Sequence, residues 1–587
     1  MRQDLRLNND SNSARKVYLS SAAFLLLLLT PFVYPGYFPS DVNILTACAA
    51  GFLFILTTLI EKKHIIILPK RFLAVVLTLF CIQLWLYASG QLLSTSSWAL
   101  QTVLYASAAL LFVLGASVPT SSLRRWIHLY LLVACLWSSV GLFVWLGGTN
   151  GKALEFGPIT SVLAPAIKLA GPFNQGNIFA GLVGFALIFS HWLAWKEQKI
   201  RYAIAVAFFT AMLFDTLSRG EWLAYLFIAA CLLFALKPNA REAMRCFIIP
   251  WLCGLSAGFI LAHFSQPSLI GSDGISGLVN SAGATMEARL TIWATALSIF
   301  LHTPLVGSGW GQYAPQSWLA APAASDLMAR FGLSHHLVSN YASGHNLILH
   351  LMAEGGILVL LPLCWGLWHL IKTSCRLLAR PHNIRITFSL AAISFIIQSQ
   401  VNITFTKPLP LLLTVFFIGI AMAPTLRRKS WKLPVSAPMI SATAAATAAF
   451  IFWATPTVIQ WFQAERALYA FDLDDQASAK TLAGFATIPR IGAIPSIWLG
   501  YKVATTNSHT GLLKWLTPPL RNAVHDIPMV AGYQVLFYTL GSTDALQEAC
   551  RVGQLIKAQH FVNERNNQIY QDICDGKPFE QYHFGTN

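Results

Sequence analysis

His345, in Gly344-His345-Asn346, has the clearest chemistry to offer. An imidazole of ordinary pKa, about 6.5, can take or give a proton at neutral pH. The three residues open a long apolar run, so His345 is expected in the first turn of a helix, where free backbone N–H groups and the dipole attract anions. Asn346, His350 and Glu354 recur at i, i+4 and i+8 and form one polar stripe. At hydrocarbon depth such a stripe implies a polar interior or cavity. A lone interfacial histidine is ordinarily structural. Two arginines expected at the same membrane face, Arg219 and Arg289, tip the reading toward catalysis.

Arg219 stands in Asp215-Thr216-Leu217-Ser218-Arg219-Gly220-Glu221-Trp222. Its planar guanidinium matches phosphate oxygens bidentately. The plain alternative is an interfacial ion pair with Glu221 or Asp215. Arg289 belongs to Glu287-Ala288-Arg289-Leu290-Thr291-Ile292-Trp293, and the spacing of Leu290, Trp293, Leu297 and Phe300 predicts an amphipathic helix over 285–301 lying along the membrane surface. A snorkelling arginine is the ordinary account there. The glycine-rich stretch from Thr303 to Gly311 lacks the Lys-Ser/Thr of a P-loop. In Gly171-Pro172-Phe173-Asn174-Gln175-Gly176-Asn177, the amides of Asn174, Gln175 and Asn177 suit sugar hydroxyls, as does that of Asn346, unless Asn174 or Asn177 simply caps a helix. His335-His336 has no third ligand in view, so neither metal nor cofactor is expected.

The elements that must position these residues follow from composition. Of 587 residues, 55% are apolar and 11% charged, and mean hydropathy is +0.57, which describes an all-α polytopic membrane protein. Thirteen spans are expected, near 17–35, 41–60, 72–89, 98–118, 127–147, 177–195, 202–217, 220–236, 247–264, 347–371, 386–401, 408–425 and 435–455. The first is followed by too many others to be a cleaved signal peptide. With residues 1–16 cytoplasmic, the inner segments hold 24 of the 40 basic residues, opposed only by Asp4, Asp10, Glu61, Glu197 and Glu242. The formal charge of +16 is thus a positive-inside signature and no reason to invoke nucleic acid. The resulting organisation is nine spans over 17–264, a large outer loop over 265–346, four more spans over 347–455, and an outer, helical C-terminal region over 456–587. Within that region Cys550 and Cys574 are a disulfide candidate, against the alternative of two buried thiols.

Taken in order, Gly-Pro-Phe-Asn-Gln, Ser-Arg-Gly, Arg-x-x-x-Trp with a downstream Pro-x-x-Gly-x-Gly, and His-Asn-x-x-Leu with Glu-Gly-Gly resemble the superfamily of O-antigen ligases, O-antigen polymerases and bacterial protein O-oligosaccharyltransferases. The first motif and the extended tail look most like the last group, the pilin-glycosylating PglL-type enzymes. The resemblance covers roughly residues 15–455. It implies a GT-C-like helical fold in the bacterial inner membrane, with the tail in the periplasm. It also implies an undecaprenyl-diphosphate-linked oligosaccharide as donor and a pilin-like periplasmic protein as acceptor. By position His345 matches the family's essential histidine, Arg219 and Arg289 match arginines assigned to the diphosphate, and Asn174 and Gln175 match a motif taken to contact donor or acceptor. The chain departs from the family in a late span. Where relatives carry His-Ser and Glu-Tyr-Pro-Leu, it has Gln398-Ser399-Gln400-Val401-Asn402 and Lys407-Pro408-Leu409.

These residues could support one displacement. An acceptor hydroxyl attacks the anomeric carbon, with inversion, while Arg219 and Arg289 stabilise the departing diphosphate. His345 takes the hydroxyl proton or orients the diphosphate. Two further readings stand beside protein glycosylation: a ligase with the same donor and lipid A-core as acceptor, and a transporter of lipid-linked glycan. A transporter would favour interrupted helices and polar groups at mid-membrane, whereas here the polar groups gather at one face.

Overall fold

The computed structural model describes residues 19–32, 41–61, 65–147, 169–173, 175–265, 274–333, 343–427, 430–472, 476–487, 497, 499–500, 510–526, 530–543, 545–559 and 564–577. It is an all-α polytopic membrane protein. Ten helices among the described residues are long and apolar enough to cross a bilayer, and the short apolar helices Leu19–Phe32 and Arg385–Gln398 pack among them. Ile200–Asp215, at 16 residues, is the remaining helix that falls on an expected span. The Gly176–Glu197 helix is the axis of the bundle, with nearly every side chain from Ile178 to Ala194 buried. A helix that is apolar all round can sit in the core of such a bundle or against lipid, and this one takes the core.

One end of the bundle is basic. Arg124, Lys199 and Arg201 surround Glu197, Lys196 lies 3.1 Å from His382, and Arg385 donates to the carbonyls of Ile420 and Val118. At this end the chain also forms an antiparallel strand pair, Ile65–Pro69 with Ser430–Pro434, that no helical periodicity foretells. Lys70 lies over the ring of Trp431 beside it.

Two helices precede and follow the glycine-rich turn of the large loop, Gly274–His302 and Tyr313–Arg330, and they pack on each other. The Gly274–His302 helix does not merely lie on a surface. Thr291, Ile292, Ala294, Thr295, Ala296 and Ile299 are all buried, several against the second helix and the C-terminal region. In that region the short helices Thr510–Asp526, Val530–Gly541, Leu546–Ala558 and Glu564–Cys574 pack each on the next. Trp318 stacks on Tyr533, and a disulfide joins Cys550 to Cys574.

Candidate active site

The helix Leu347–Leu378 is capped by Asn346, whose carboxamide oxygen accepts the Leu349 N–H at 3.0 Å. His345 therefore lies one residue before the cap, not in the first helical turn as expected. Its φ is +47°, a left-handed conformation that costs a non-glycine residue about 1–2 kcal/mol. Anchors on both sides hold it there. The Gly344 N–H donates to Nδ1 of buried His350 at 3.3 Å, the Leu347 N–H donates to the Ser399 carbonyl at 2.8 Å, and the Asn346 amide donates to the Gln400 carbonyl at 3.0 Å. Both ends of the Asn346 amide are thus engaged within the chain, whereas the His345 imidazole makes no hydrogen bond among the described residues.

Burial, and then the Arg289 guanidinium beside it, push the His345 pKa down to about 4, so the ordinary value assumed from sequence does not hold. The imidazole is neutral at pH 7, with one nitrogen able to accept a proton and the other to donate a hydrogen bond. If its neutral form is required, kcat/KM stays near its maximum from pH 8 down to pH 5.5 and falls only as pH approaches about 4. An acid limb centred near 6.5 would remove His345 as the group that must be unprotonated.

Arg289 is half-buried, its Nε is enclosed with no hydrogen-bond partner among the described residues, and burial and then the charge of Arg219 lower its pKa. A snorkelling side chain would instead hold its head in water. Arg219, on the first turn of the Arg219–Leu236 helix, is exposed and follows a strained turn in which Leu217 has φ +52°. Neither carboxylate proposed as its partner serves. Both carboxylate oxygens of Asp215 are buried with no hydrogen-bond partner among the described residues, and Glu221 turns into the bundle, where it accepts the Ser394 hydroxyl at 3.2 Å and presses on Gly184. Arg289 is near enough to bear electrostatically on Arg219 and on His345, and an anion beside its guanidinium would relax that crowding of positive charge.

The polar stripe has another task than lining a cavity. Glu354, 1% exposed, accepts the Tyr313 N–H at 3.0 Å, and Nε2 of His350 lies 3.6 Å from its second oxygen. The Leu347–Leu378 helix breaks at Gly356, and residues 304–309 fill the break: Ser308 and Gly309 donate to the carbonyls of Ala353 and Glu354, and Ile357 and Leu358 donate to those of Pro304 and Leu305. The Pro-x-x-Gly-x-Gly and Glu-Gly-Gly motifs are therefore two halves of one interlock. Gln83, which accepts the Trp310 N–H, and Gln312, which bonds both the N–H and the carbonyl of Ser94, fasten it to the neighbouring helices.

Asn174 lies outside the described residues, as do His335 and His336. Gln175 occupies the helix cap position without capping, its buried Oε1 unpartnered, and the Asn177 carbonyl accepts the Gln398 amide at 2.7 Å. Neither is the asparagine cap considered above. What sequence reading did not assign to the site is the segment from Gln398 to Asn402. Gln398 reaches the Asn177 turn, Ser399 and Gln400 hold the Asn346–Leu347 cap, and Asn402 packs so closely on Gly220 that a methyl group there would stand 2.9 Å from its amide. One short segment thus ties three of the four motifs to the same end of the bundle. Four polar residues in five at the end of an apolar span were the available signal.

Among the described residues no three His, Cys, Asp or Glu side chains group as a metal site would require. No curated protein and no solved structure matches the chain. Residues 204–364, a stretch that holds Arg219, Arg289 and His345, match the family model of the O-antigen ligases.

Proposed function

We propose that this chain transfers an oligosaccharide from undecaprenyl diphosphate to a Ser or Thr hydroxyl of a periplasmic protein such as a pilin. The observation that carries the reading is that Arg289 is close enough to act electrostatically on both Arg219 and His345, at the end of the bundle opposite the basic residues. The positive-inside rule favours a cytoplasmic side for that basic end, and on this reading the site and the tail face the periplasm from a bacterial inner membrane. The acceptor oxygen attacks the anomeric carbon, the bond from that carbon to the diphosphate oxygen breaks with inversion, and the electron pair leaves with the lipid diphosphate. The guanidinium groups stabilise that leaving charge, and His345 receives the hydroxyl proton. A neutral imidazole in the free protein suits this order of events, because the proton arrives when a dianion is at hand to stabilise the imidazolium.

The description of the matching family favours a second reading, in which the same donor is transferred to lipid A-core. Reconstituted protein, given undecaprenyl-diphosphate-linked glycan with both a pilin-type protein and lipid A-core, separates the two by mass spectrometry. A glycan mass on a Ser or Thr peptide supports protein glycosylation. A mass shift on lipid A-core alone selects the ligase, and none on either defeats both.

A further inference from the structure

Where the Gly171–Phe173 turn meets the start of the Pro408–Leu426 helix, the protein forms a small half-open pocket of about 50 Å³. Pro172, Phe173 and Pro410 form apolar wall, Thr30 and Asn43 add polar atoms, and Lys407 is the one cation among the lining residues. The Lys407 ammonium has no hydrogen bond or ion pair among the described residues, and burial alone pushes its pKa down to about 8. A half-buried cation that has gained no counter-ion is less favourable than one in open water, and an anion in contact with it offsets that cost.

The surroundings limit what the anion can be. One water needs about 10–15 Å³, so the depth of the pocket admits roughly four such volumes, enough for a carboxylate whose sugar ring stays at the open mouth. The helix terminus beside it offers little competition as an anion site, because Pro408 and Pro410 lack the N–H groups such a terminus would present. Neither Arg219 nor Arg289 lines the pocket, so the lipid diphosphate is not its occupant. The turn that walls it runs directly into Gln175, whose amide suits sugar hydroxyls.

We propose that Lys407 selects for an acidic glycan, its ammonium pairing with the carboxylate of an acidic sugar seated beside the Gly171–Phe173 turn. This rests on the reading of the chain as a glycan transferase. The test uses the reconstituted full-length protein and two undecaprenyl-diphosphate donors that differ at one residue, a uronic acid in one and the corresponding neutral hexose in the other. Lys407→Met is expected to lower kcat/KM for the acidic donor by about 10- to 100-fold, and for the neutral donor by no more than about twofold. Lys407→Arg should keep most of the preference. Amine labelling of Lys407 at pH 8, followed on its peptide, should slow with the acidic donor and not with the neutral one. Equal loss on both donors, no loss on either, or a loss that follows carboxylates on the acceptor would overturn the assignment. A wild-type protein that transfers neither glycan would instead sink the transferase reading on which it stands.

Discussion

Glycan transfer by His345→Ala is expected to fall by about 10²–10⁴-fold, the usual cost of losing a positioned general acid or base. Arg289→Lys should lose about 10²–10³-fold, the range for a donor aimed at developing charge. The lysine keeps the charge but not the two-pronged donor, and its ammonium must be desolvated beside Arg219 and His345. Neither change should prevent folding. His345 presents no side-chain bond on which its neighbours depend, its anchors being the backbone of Gly344 and Leu347 and the side chain of Asn346. The measurement is single-turnover transfer from undecaprenyl-diphosphate-linked glycan, with the amount of membrane-inserted protein as control. His345→Gln adds a distinction: an amide can still donate to a diphosphate but cannot take up the acceptor's proton. Activity restored to within tenfold of wild type by glutamine would make His345 a diphosphate ligand and leave the base elsewhere. Near-normal transfer by Arg289→Lys would leave only a structural role for that arginine.

Hydropathy made the helices legible, because a bilayer demands about 20 apolar residues whatever their partners. Chemistry-bearing side chains were legible where their type was unusual for their surroundings: Arg219 and Arg289 at the ends of apolar stretches, and His345 before one. What could not be read was backbone geometry shared by distant segments. Nothing in Gly344-His345-Asn346 says that the histidine takes a left-handed conformation, because the cause lies in the Ser399 and Gln400 carbonyls that hold the next two residues. Nor does a stripe of Asn346, His350 and Glu354 distinguish a wet cavity from a clamp. The difference is whether backbone N–H groups or water meet the carboxylate, and for Glu354 it is the Tyr313 N–H. The cysteines illustrate the same limit from another side. Two in an exported region suggest a bridge, but only the packing of the last helices brings Cys550 and Cys574 together.

Gly356→Ala and Gly307→Ala are each expected to destabilise the protein by about 3 kcal/mol or more, and so to abolish transfer without touching a reacting group. Gly356 has φ +61° and ψ −161°, a region open essentially to glycine alone, and a Cβ there would stand 2.3 Å from the Leu305 carbonyl oxygen. Gly307 has φ +71°, and its Cβ would stand 2.3 Å from the Gly355 nitrogen. Both obstacles are backbone, so no rotamer change relieves them. Moving the segments apart would break four backbone hydrogen bonds at a point where a spanning helix is interrupted and lipid offers no replacement. Gly366, farther along the same helix with nothing within 4 Å of its would-be Cβ, is the control. Gly366→Ala should be neutral or stabilising by up to about 1 kcal/mol, as alanine is the better helix former. Thermal unfolding in detergent and the yield of membrane-inserted protein read the difference. If all three variants behave alike, residues 304–309 do not brace the broken helix. The functional consequence follows from chain order. Arg289 sits on the helix that leads into residues 304–309, and His345 directly precedes the cap of the helix whose break they fill, so the interlock sets the distance between Arg289 and His345. A misplacement of about 1 Å between catalytic groups can cost 10²-fold in rate, so a Cβ at Gly356 or Gly307, by forcing the two segments apart, is expected to lower the rate as well as the stability.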